Sequence, residues 1–343
     1  MLKYRIMQTS NKYKRNSDAI EYDAISEKYP VLISKHIRSI LKFEAVRRQF
    51  VPSSDEISIS GGDPDALSEN KYSVFPRLIR RYQNRAALIA ADKCFAYCRH
   101  CFRKNRLSIL SAESENGISD KETDEVCEWL KAEKSITEML VTGGDPLTLS
   151  DSKLDGIFTR LREAKASLII RLGSRALLSQ PSRITHPLCR ILKKHNKNAP
   201  LFFMTHFNHA DELQNETITA IAHIRQAGIS LFNQCVLLKG INDNADDMTA
   251  LSRKLLANGI KPYYAFISDR IKGTESFWIS PQRALEIEKE LRQRLSGLEM
   301  PTFAADLPDG GGKVPLVNCY IKASDENGNA TLWTPDFKET RKY

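Results

Sequence analysis

From Ala86 onward the chain alternates short apolar runs of strand length with longer stretches whose apolar residues recur every three or four positions. AALIAA comes first. DKETDEVCEWLKAEK then precedes ITEMLVTGGDP, SKLDGIFTRLREAK precedes SLIIRLGSRA, and PSRITHPLCRILKKHN precedes PLFFMTHFNH. ETITAIAHIRQAG leads into ISLFNQCVLLKG, and ADDMTALSRKLLANG into KPYYAFISD. Repeated alternation of helix and strand predicts a parallel α/β fold. Six strands are expected, near residues 86–91, 136–142, 167–172, 200–205, 229–237 and 262–268, two short of a closed eight-stranded barrel. Upstream, SEKYPVLISKHIRSILKFEAVRRQF has helical spacing and is followed by the polar break VPSSDEISISGGDPDALSEN. The expected organisation is a helical N-terminal region (1–85), a partial (β/α)6 barrel (86–290) and a short C-terminal segment (291–343).

In parallel barrels the working residues lie at the C-terminal ends of the strands. The chemically distinctive residues of this chain follow that rule. Cys94 comes after the first strand, Gly143 to Asp145 after the second, and Arg171 to Arg175 at the third. His206, Gln234 and Asp269 lie at or just after the next three.

Composition narrows the class. Of 343 residues, 41% are hydrophobic and 27% charged, as in globular proteins. No run approaches the roughly 18 apolar residues of a membrane helix, and the N-terminus lacks the apolar core of a secretory signal, so a cytoplasmic protein with no membrane partner is expected. Seven cysteines, three of them within eight residues, argue against a paired disulfide framework and for one metal cluster plus scattered thiols. The net charge of +9 suits an acidic or phosphorylated ligand or partner as well as an ordinary basic surface. No appended nucleic-acid-binding segment is visible, and a nucleic-acid partner is not expected.

The segment Cys94-Phe-Ala-Tyr-Cys98-Arg-His-Cys101 places three thiols on one loop after the first strand. Three thiolates at this spacing can converge on a [4Fe–4S] cluster and leave one iron open. An open iron can bind the amino and carboxylate groups of S-adenosylmethionine, whose one-electron cleavage yields a hydrogen-abstracting radical. A zinc site is the alternative, but zinc usually pairs C-x2-C with a second pair of Cys or His, and none follows. Val141-Thr-Gly143-Gly144-Asp145-Pro resembles the glycine-rich segment with which radical enzymes hold the amino group of S-adenosylmethionine. Arg171, Ser174 and Arg175 could serve its carboxylate and ribose, or be ordinary polar residues.

With these residues in view, the chain resembles the lysine 2,3-aminomutase family from about Arg81 to about Lys322. The likeness rests on CFAYCRHCFRK, VTGGDPL, RLGSRA, THFNH, NQCVLLKGIND, PYYAFISD and DLPDGGGKVP. It implies a second cofactor, pyridoxal 5′-phosphate, carried covalently on Lys313. A phosphate-binding P-loop fails for this segment, because its lysine must be followed by Ser or Thr and Val314 stands there. The resemblance further implies Arg81 and Arg85 as partners of the cofactor phosphate, Gln234 as an assisting glutamine and Arg103 as the grip on the substrate's α-carboxylate. His206 and His209 are expected on the same rim.

The resemblance also bears on the substrate. Asp269 and Asp306 align with two aspartates that the lysine enzymes use for the ε-ammonium, so conversion of L-lysine to β-lysine is expected, with another amino acid such as glutamate as the alternative. Asp309 departs from the family's usual PGGGGK. Longer members carry C-terminal zinc cysteines; here only Cys319 lies near Tyr343 and Asn244 stands where a partner cysteine would be, so a structural zinc site is not expected. A short chain of this type also resembles the aminomutase that supplies β-lysine to elongation factor P. A one-electron donor such as flavodoxin or ferredoxin and a homo-oligomeric state are the remaining expectations.

Overall fold

The computed structural model describes residues 23–107, 117–324 and 330–342. The first 22 residues of the expected N-terminal region lie outside them. A ten-stranded sheet runs in linear order from β1 to β10. Its strands are β1 (Ser73–Phe75), β2 (Leu78–Ile79), β3 (Arg85–Ala91), β4 (Glu138–Gly143), β5 (Ile169–Gly173), β6 (Leu201–Thr205), β7 (Ser230–Leu237), β8 (Ile260–Ile267), β9 (Thr302–Leu307) and β10 (Gly312–Pro315). From β3 to β9 every neighbouring pair is parallel. All six expected strands are present within about two residues of their expected ends. The seventh parallel strand, β9, was not expected, and the sheet runs across both expected domain boundaries.

Helices return the chain between strands: α4 (Asp120–Ala132), α5 (Asp151–Ala164), α7 (His186–His195), α8 (Asn215–Gln226), α9 (Ala245–Ala257) and α10 (Pro281–Arg294), with the single turn α6 (Ala176–Ser179) before α7. Their starts are written locally. Ser119, Ser150, Thr185, Asn244 and Ser280 each accept a backbone N–H of the first turn, and Ser119 with Glu122 closes a capping box. Asn244, where a zinc cysteine is expected in longer relatives, is therefore a helix cap.

Alternation along the strands sorts the side chains. Leu88, Val141, Ile170, Phe203 and Leu231 are buried and belong to one hydrophobic core with Leu130, Phe158, Leu192, Ile224, Leu251 and Ile287 of the helices. The opposite face carries less buried residues, including Arg85, Glu138, Arg171, Phe202, Gln234 and Phe266. That inner face is where a barrel holds its ligands.

The N-terminal region is less helical than its spacing suggests. The apolar-basic stretch breaks into α1 (Lys35–Ser39) and α2 (Glu44–Phe50), followed by the single turn α3 (Asp55–Ser58). β1 and β2 then join the sheet antiparallel to β3. Backbone bonds tie this region to the cysteine loop: Tyr97 N donates to Leu32 O at 3.0 Å and Arg99 N to Gln49 O at 2.8 Å. Glu56 strengthens the tie. Its carboxylate, 2% exposed, accepts from Arg99 Nε at 2.8 Å and also pairs with Lys104. Burial pushes the Glu56 pKa upward, but hydrogen bonding and charge from Arg99 and Lys104 outweigh it and hold the group below the usual carboxylate range. After the barrel, β11 (Ile321–Ser324), β12 (Ala330–Trp333) and β13 (Thr340–Lys342) form a separate antiparallel sheet. Among the described residues no helix is long and apolar enough to cross a membrane.

Removing Glu56 takes a buried carboxylate away from the buried cations Arg99 and Lys104. Glu56→Gln is expected to lower the unfolding free energy by about 3–5 kcal/mol, as removal of one partner from a buried ion pair does. Urea denaturation followed by circular dichroism measures it, and an unchanged midpoint would show that the triad contributes nothing.

Candidate active site

The site lies at the C-terminal ends of the parallel strands and is built around the loop after β3. Cys94, Cys98 and Cys101 are free thiols on that loop, and they stand within electrostatic reach of one another. Burial pushes the Cys94 thiol well above its ordinary pKa and Cys101 up to about 11, with the neighbouring sulfurs adding to the shift. Among the described residues no three His, Cys, Asp or Glu side chains stand at metal-holding distance. The donor set itself, three soft sulfur ligands on one half-buried loop, suits an iron–sulfur cluster, whose binding displaces the thiol protons.

Gly143 and Gly144 do something other than what their sequence suggests. A Cβ on Gly143 would lie 2.2 Å from Ala91 O, and one on Gly144 would lie 2.4 Å from Lys93 O. The space that glycine leaves is filled by the cysteine-loop backbone, with Gly144 N donating to Ala91 O at 2.7 Å and Asp145 N to Lys93 O at 2.8 Å. Asp145 carries the tie onward. Its carboxylate accepts from Ser174 Oγ at 2.8 Å, Arg175 N at 2.9 Å and Leu147 N at 3.0 Å. The second and third strand ends are thereby locked to the cysteine loop.

Arg171 does not share this rim. It sits inside β5, two residues before the strand ends, and its Nη1 donates to Glu138 at 3.2 Å. Arg175 does reach the rim, where its Nη1 donates to Cys98 Sγ at 2.7 Å. His206 stacks on His100 with ring centroids 5.6 Å apart. Burial, and then the charge of Arg175, depress the His206 pKa well below its ordinary value, so its ring is neutral. His206 Nε2 is buried without a protein partner. His209 faces Asp211 and Asp247, each at 3.3 Å.

Across the barrel, β9 and β10 form a hairpin that sets Lys313 opposite Asp306. Lys313 Nζ is 2.6 Å from Asp306 Oδ2, and Arg81 Nη2 is 3.3 Å from the other oxygen. The hairpin turn needs its glycines. Gly310 has φ +77°, and a Cβ there would fall 2.2 Å from Tyr72 Oη. Asp309 turns outward, with Ser68 Oγ donating to its carboxylate at 3.1 Å. The Arg85 guanidinium lies 3.6 Å from the centroid of Tyr82, and Lys313 Nζ lies 5.8 Å from the same ring and 5.2 Å from that of Phe266. Arg81 Nε and Tyr82 Oη are both buried without a protein partner. Orphaned donors beside a lysine and two arginines fit a phosphorylated ring better than an empty packing defect. Gln234 lies on the inner face of β7.

Asp269 completes this side. Burial, then the charge of Asp306, raise its pKa to about 7, while Lys313 and Arg81 act in the opposite direction. Arg103, between the two halves, is 7% exposed and grips Glu69: Nη2 at 2.6 Å from Oε1 and Nε at 3.0 Å from Oε2, with Nη1 on Thr142 Oγ1 at 3.3 Å. Glu69 escaped the sequence reading, as did Gln49 and Glu212, which hold Arg175. Glu69 lies in the polar break and Gln49 in the helical stretch before it, and no local spacing links any of the three to its arginine.

No family model matches the chain. Named proteins do. A provisionally named L-lysine 2,3-aminomutase from Aquifex aeolicus is 39% identical over 307 residues, covering 87% of this chain and 80% of its own length. L-lysine 2,3-aminomutase from Acetoanaerobium sticklandii is 37% identical, covering 83% of this chain and 67% of its own. Glutamate 2,3-aminomutase from Clostridioides difficile is 36% identical, with 79% and 63% covered. Among solved structures, a radical SAM methyltransferase from Sphaerobacter thermophilus aligns at 16% identity and a TM-score of 0.48, over 67% of this chain and 68% of that one. The sequence relatives carry the assignment: this chain belongs to the lysine 2,3-aminomutase family.

Proposed function

We propose that the protein moves the α-amino group of L-lysine to its β-carbon, using a [4Fe–4S] cluster on Cys94, Cys98 and Cys101, S-adenosylmethionine, and pyridoxal 5′-phosphate on Lys313. The observation that carries the reading is the meeting of Lys313, Asp306, Arg81 and Asp269 at the same C-terminal end of the barrel strands that carries the three-cysteine loop. When bound, the cluster and S-adenosylmethionine supply one-electron hydrogen abstraction, and the pyridoxal ring supplies a conjugated system that spreads an unpaired electron during the migration.

The protein's own residues bind and orient. Arg81 and Arg85 offer guanidinium donors to a phosphate, the group such forks match best. Lys313, with Asp306 as counter-ion, presents its amine beside Tyr82 and Phe266. Arg103 meets the substrate α-carboxylate with a guanidinium already fixed along one edge by Glu69, so little rotational freedom is lost on binding. Asp269 takes the far ammonium. Gly143, Gly144, Asp145, Ser174 and His206 frame the S-adenosylmethionine side, with the His206 nitrogen free to accept or donate. Arg171 supports from within the barrel. Phe202, Phe232 and Phe266 line the inner face and keep water from a reactive radical. A one-electron donor such as flavodoxin or ferredoxin reduces the cluster.

The same product would serve modification of elongation factor P, and the net charge of +9 favours docking on an acidic partner. Failure to retain that factor in a low-salt pull-down would remove this second reading.

Anaerobically reconstituted protein with reductant, S-adenosylmethionine, pyridoxal phosphate and L-lysine is expected to give β-lysine by mass spectrometry, with little β-amino acid from L-glutamate. Cys98→Ala and Lys313→Ala should each lose the product. β-Glutamate in place of β-lysine would overturn the substrate assignment. No product from either, with both cofactors bound, would send the search to another amino acid.

The state of Asp269 sets a pH dependence. Its raised pKa means the carboxyl is protonated below about pH 7, and only the carboxylate attracts an ammonium. For lysine, kcat/KM should therefore fall as pH drops from 8 to 6, and Asp269→Asn should be low and flat over the same range. Identical profiles for the two proteins would exclude Asp269 from substrate binding.

A further inference from the structure

We propose that Arg175 sets the reduction potential of the cluster, through a hydrogen bond and a fixed positive charge on the Cys98 sulfur. The inference rests on the reading that Cys98 is a cluster ligand. It assigns Arg175 to the iron–sulfur centre, not to the carboxylate or ribose of S-adenosylmethionine.

The geometry of Arg175 argues for this assignment. Its guanidinium is held on every side by protein. Nη2 donates to Gln49 Oε1 at 2.6 Å and to Glu212 Oε2 at 3.2 Å, and Nε donates to the His206 carbonyl at 3.1 Å. The plane lies 4.8 Å from the Phe50 ring centroid. Three anchors and a ring face fix where the remaining N–H groups point, and Nη1 points at Cys98 Sγ, 2.7 Å away. The side chain is 10% exposed and Glu212 is fully buried, so water competes little for the sulfur contact.

An iron–sulfur cluster gains negative charge when it accepts an electron. Hydrogen bonds to its sulfurs and nearby cations stabilise the reduced form, and these are recognised determinants of cluster potential. In a dry site the effect of one fixed charge is larger than at a surface. The step itself is one electron from a low-potential donor to the oxidised cluster, with no bond made or broken in the protein. Removing the guanidinium therefore moves the potential negative and leaves fewer reduced clusters at a given applied potential.

Gln49 explains why an N-terminal helix residue takes part. It accepts from Arg175 through Oε1, and its amide nitrogen donates to Glu212 Oε1 at 2.6 Å, so one side chain fixes both the cation and the counter-ion. Gln49 is a positioning residue on this account.

The test is a redox titration of the anaerobically reconstituted full chain, poised with dithionite and mediators and read by electron paramagnetic resonance, without S-adenosylmethionine. Arg175→Gln should load the same iron and show at least a tenfold smaller ratio of reduced to oxidised cluster at fixed potential, a negative shift of 59 mV or more for one electron. Gln49→Ala keeps the charge but frees it, and should shift the potential in the same direction by less. It also stands in for Arg175→Gln if that variant does not fold. A wild-type potential in either variant that folds and loads iron would overturn the inference. Absence of any [4Fe–4S] signal in the reconstituted wild-type protein would instead overturn the cluster reading, so the two failures are distinguishable.

Discussion

Buried guanidinium groups around the cysteine loop are the constraint on which this molecule turns. Arg99 is 2% exposed and Arg103 7%, and Arg175 lies against the Cys98 sulfur. A cation buried without an anion costs several kcal/mol, so each needs a partner, and Arg99 and Arg103 find theirs upstream of the barrel. Glu56 meets Arg99, Glu69 meets Arg103, and Gln49 together with Glu212 of the barrel meets Arg175. The N-terminal region is thereby more than a preface. It supplies the counter-charges that let a cationic loop sit inside the protein, and its own conformation is fixed by the same contacts.

Much of the barrel was legible because its signals are local. Five of the six longer barrel helices start on a side chain that caps them, and each strand is a short apolar run set off from an amphipathic one. β9 escaped because TFAADL is short, carries a charge next to its end and is followed by a glycine turn in place of a helix. The N-terminal helix was overextended because periodicity does not register the break that Ile40–Phe43 imposes between α1 and α2. In the site, the three cysteines were legible because their chemistry is contiguous. Lys313 and Asp306, seven residues apart, were legible only by resemblance. Their contact depends on a hairpin whose turn has positive φ at Asp309 and Gly310. The ion-pair partners were not legible at all, since 34 residues separate Glu69 from Arg103 and 126 separate Gln49 from Arg175.

Gly143 and Gly144 show how a sequence signal can have a different structural cause. Paired glycines after a strand suggest backbone opened for a ligand. Here the room is taken by Ala91 and Lys93, and the benefit to a ligand is indirect: the cysteine loop is pressed against the second strand end and then stapled through Asp145 to the third. Rigid support of this kind holds three thiols in register more surely than a flexible loop could.

The two halves of the site carry opposite electrostatic character, and that gradient bears directly on the proposed substrate. Arg103, Arg175 and Lys104 crowd the cysteine side, whereas Asp269 and Asp306 lie beyond Lys313. Of the two carboxylates, Asp306 already has Lys313 and Arg81 within 3.3 Å, while Asp269 is held near neutrality by its surroundings. An amino acid bound with its α-carboxylate on Arg103 extends its side chain toward Asp269. A far ammonium there draws out the proton and gains a charge pair of about 4 kcal/mol at 4 Å and an effective dielectric constant near 20. A far carboxylate gains nothing comparable, because it must keep the proton on Asp269 or face two like charges. The proposed preference for lysine over glutamate thus rests on one largely buried carboxyl that has no direct ion-pair partner among the described residues.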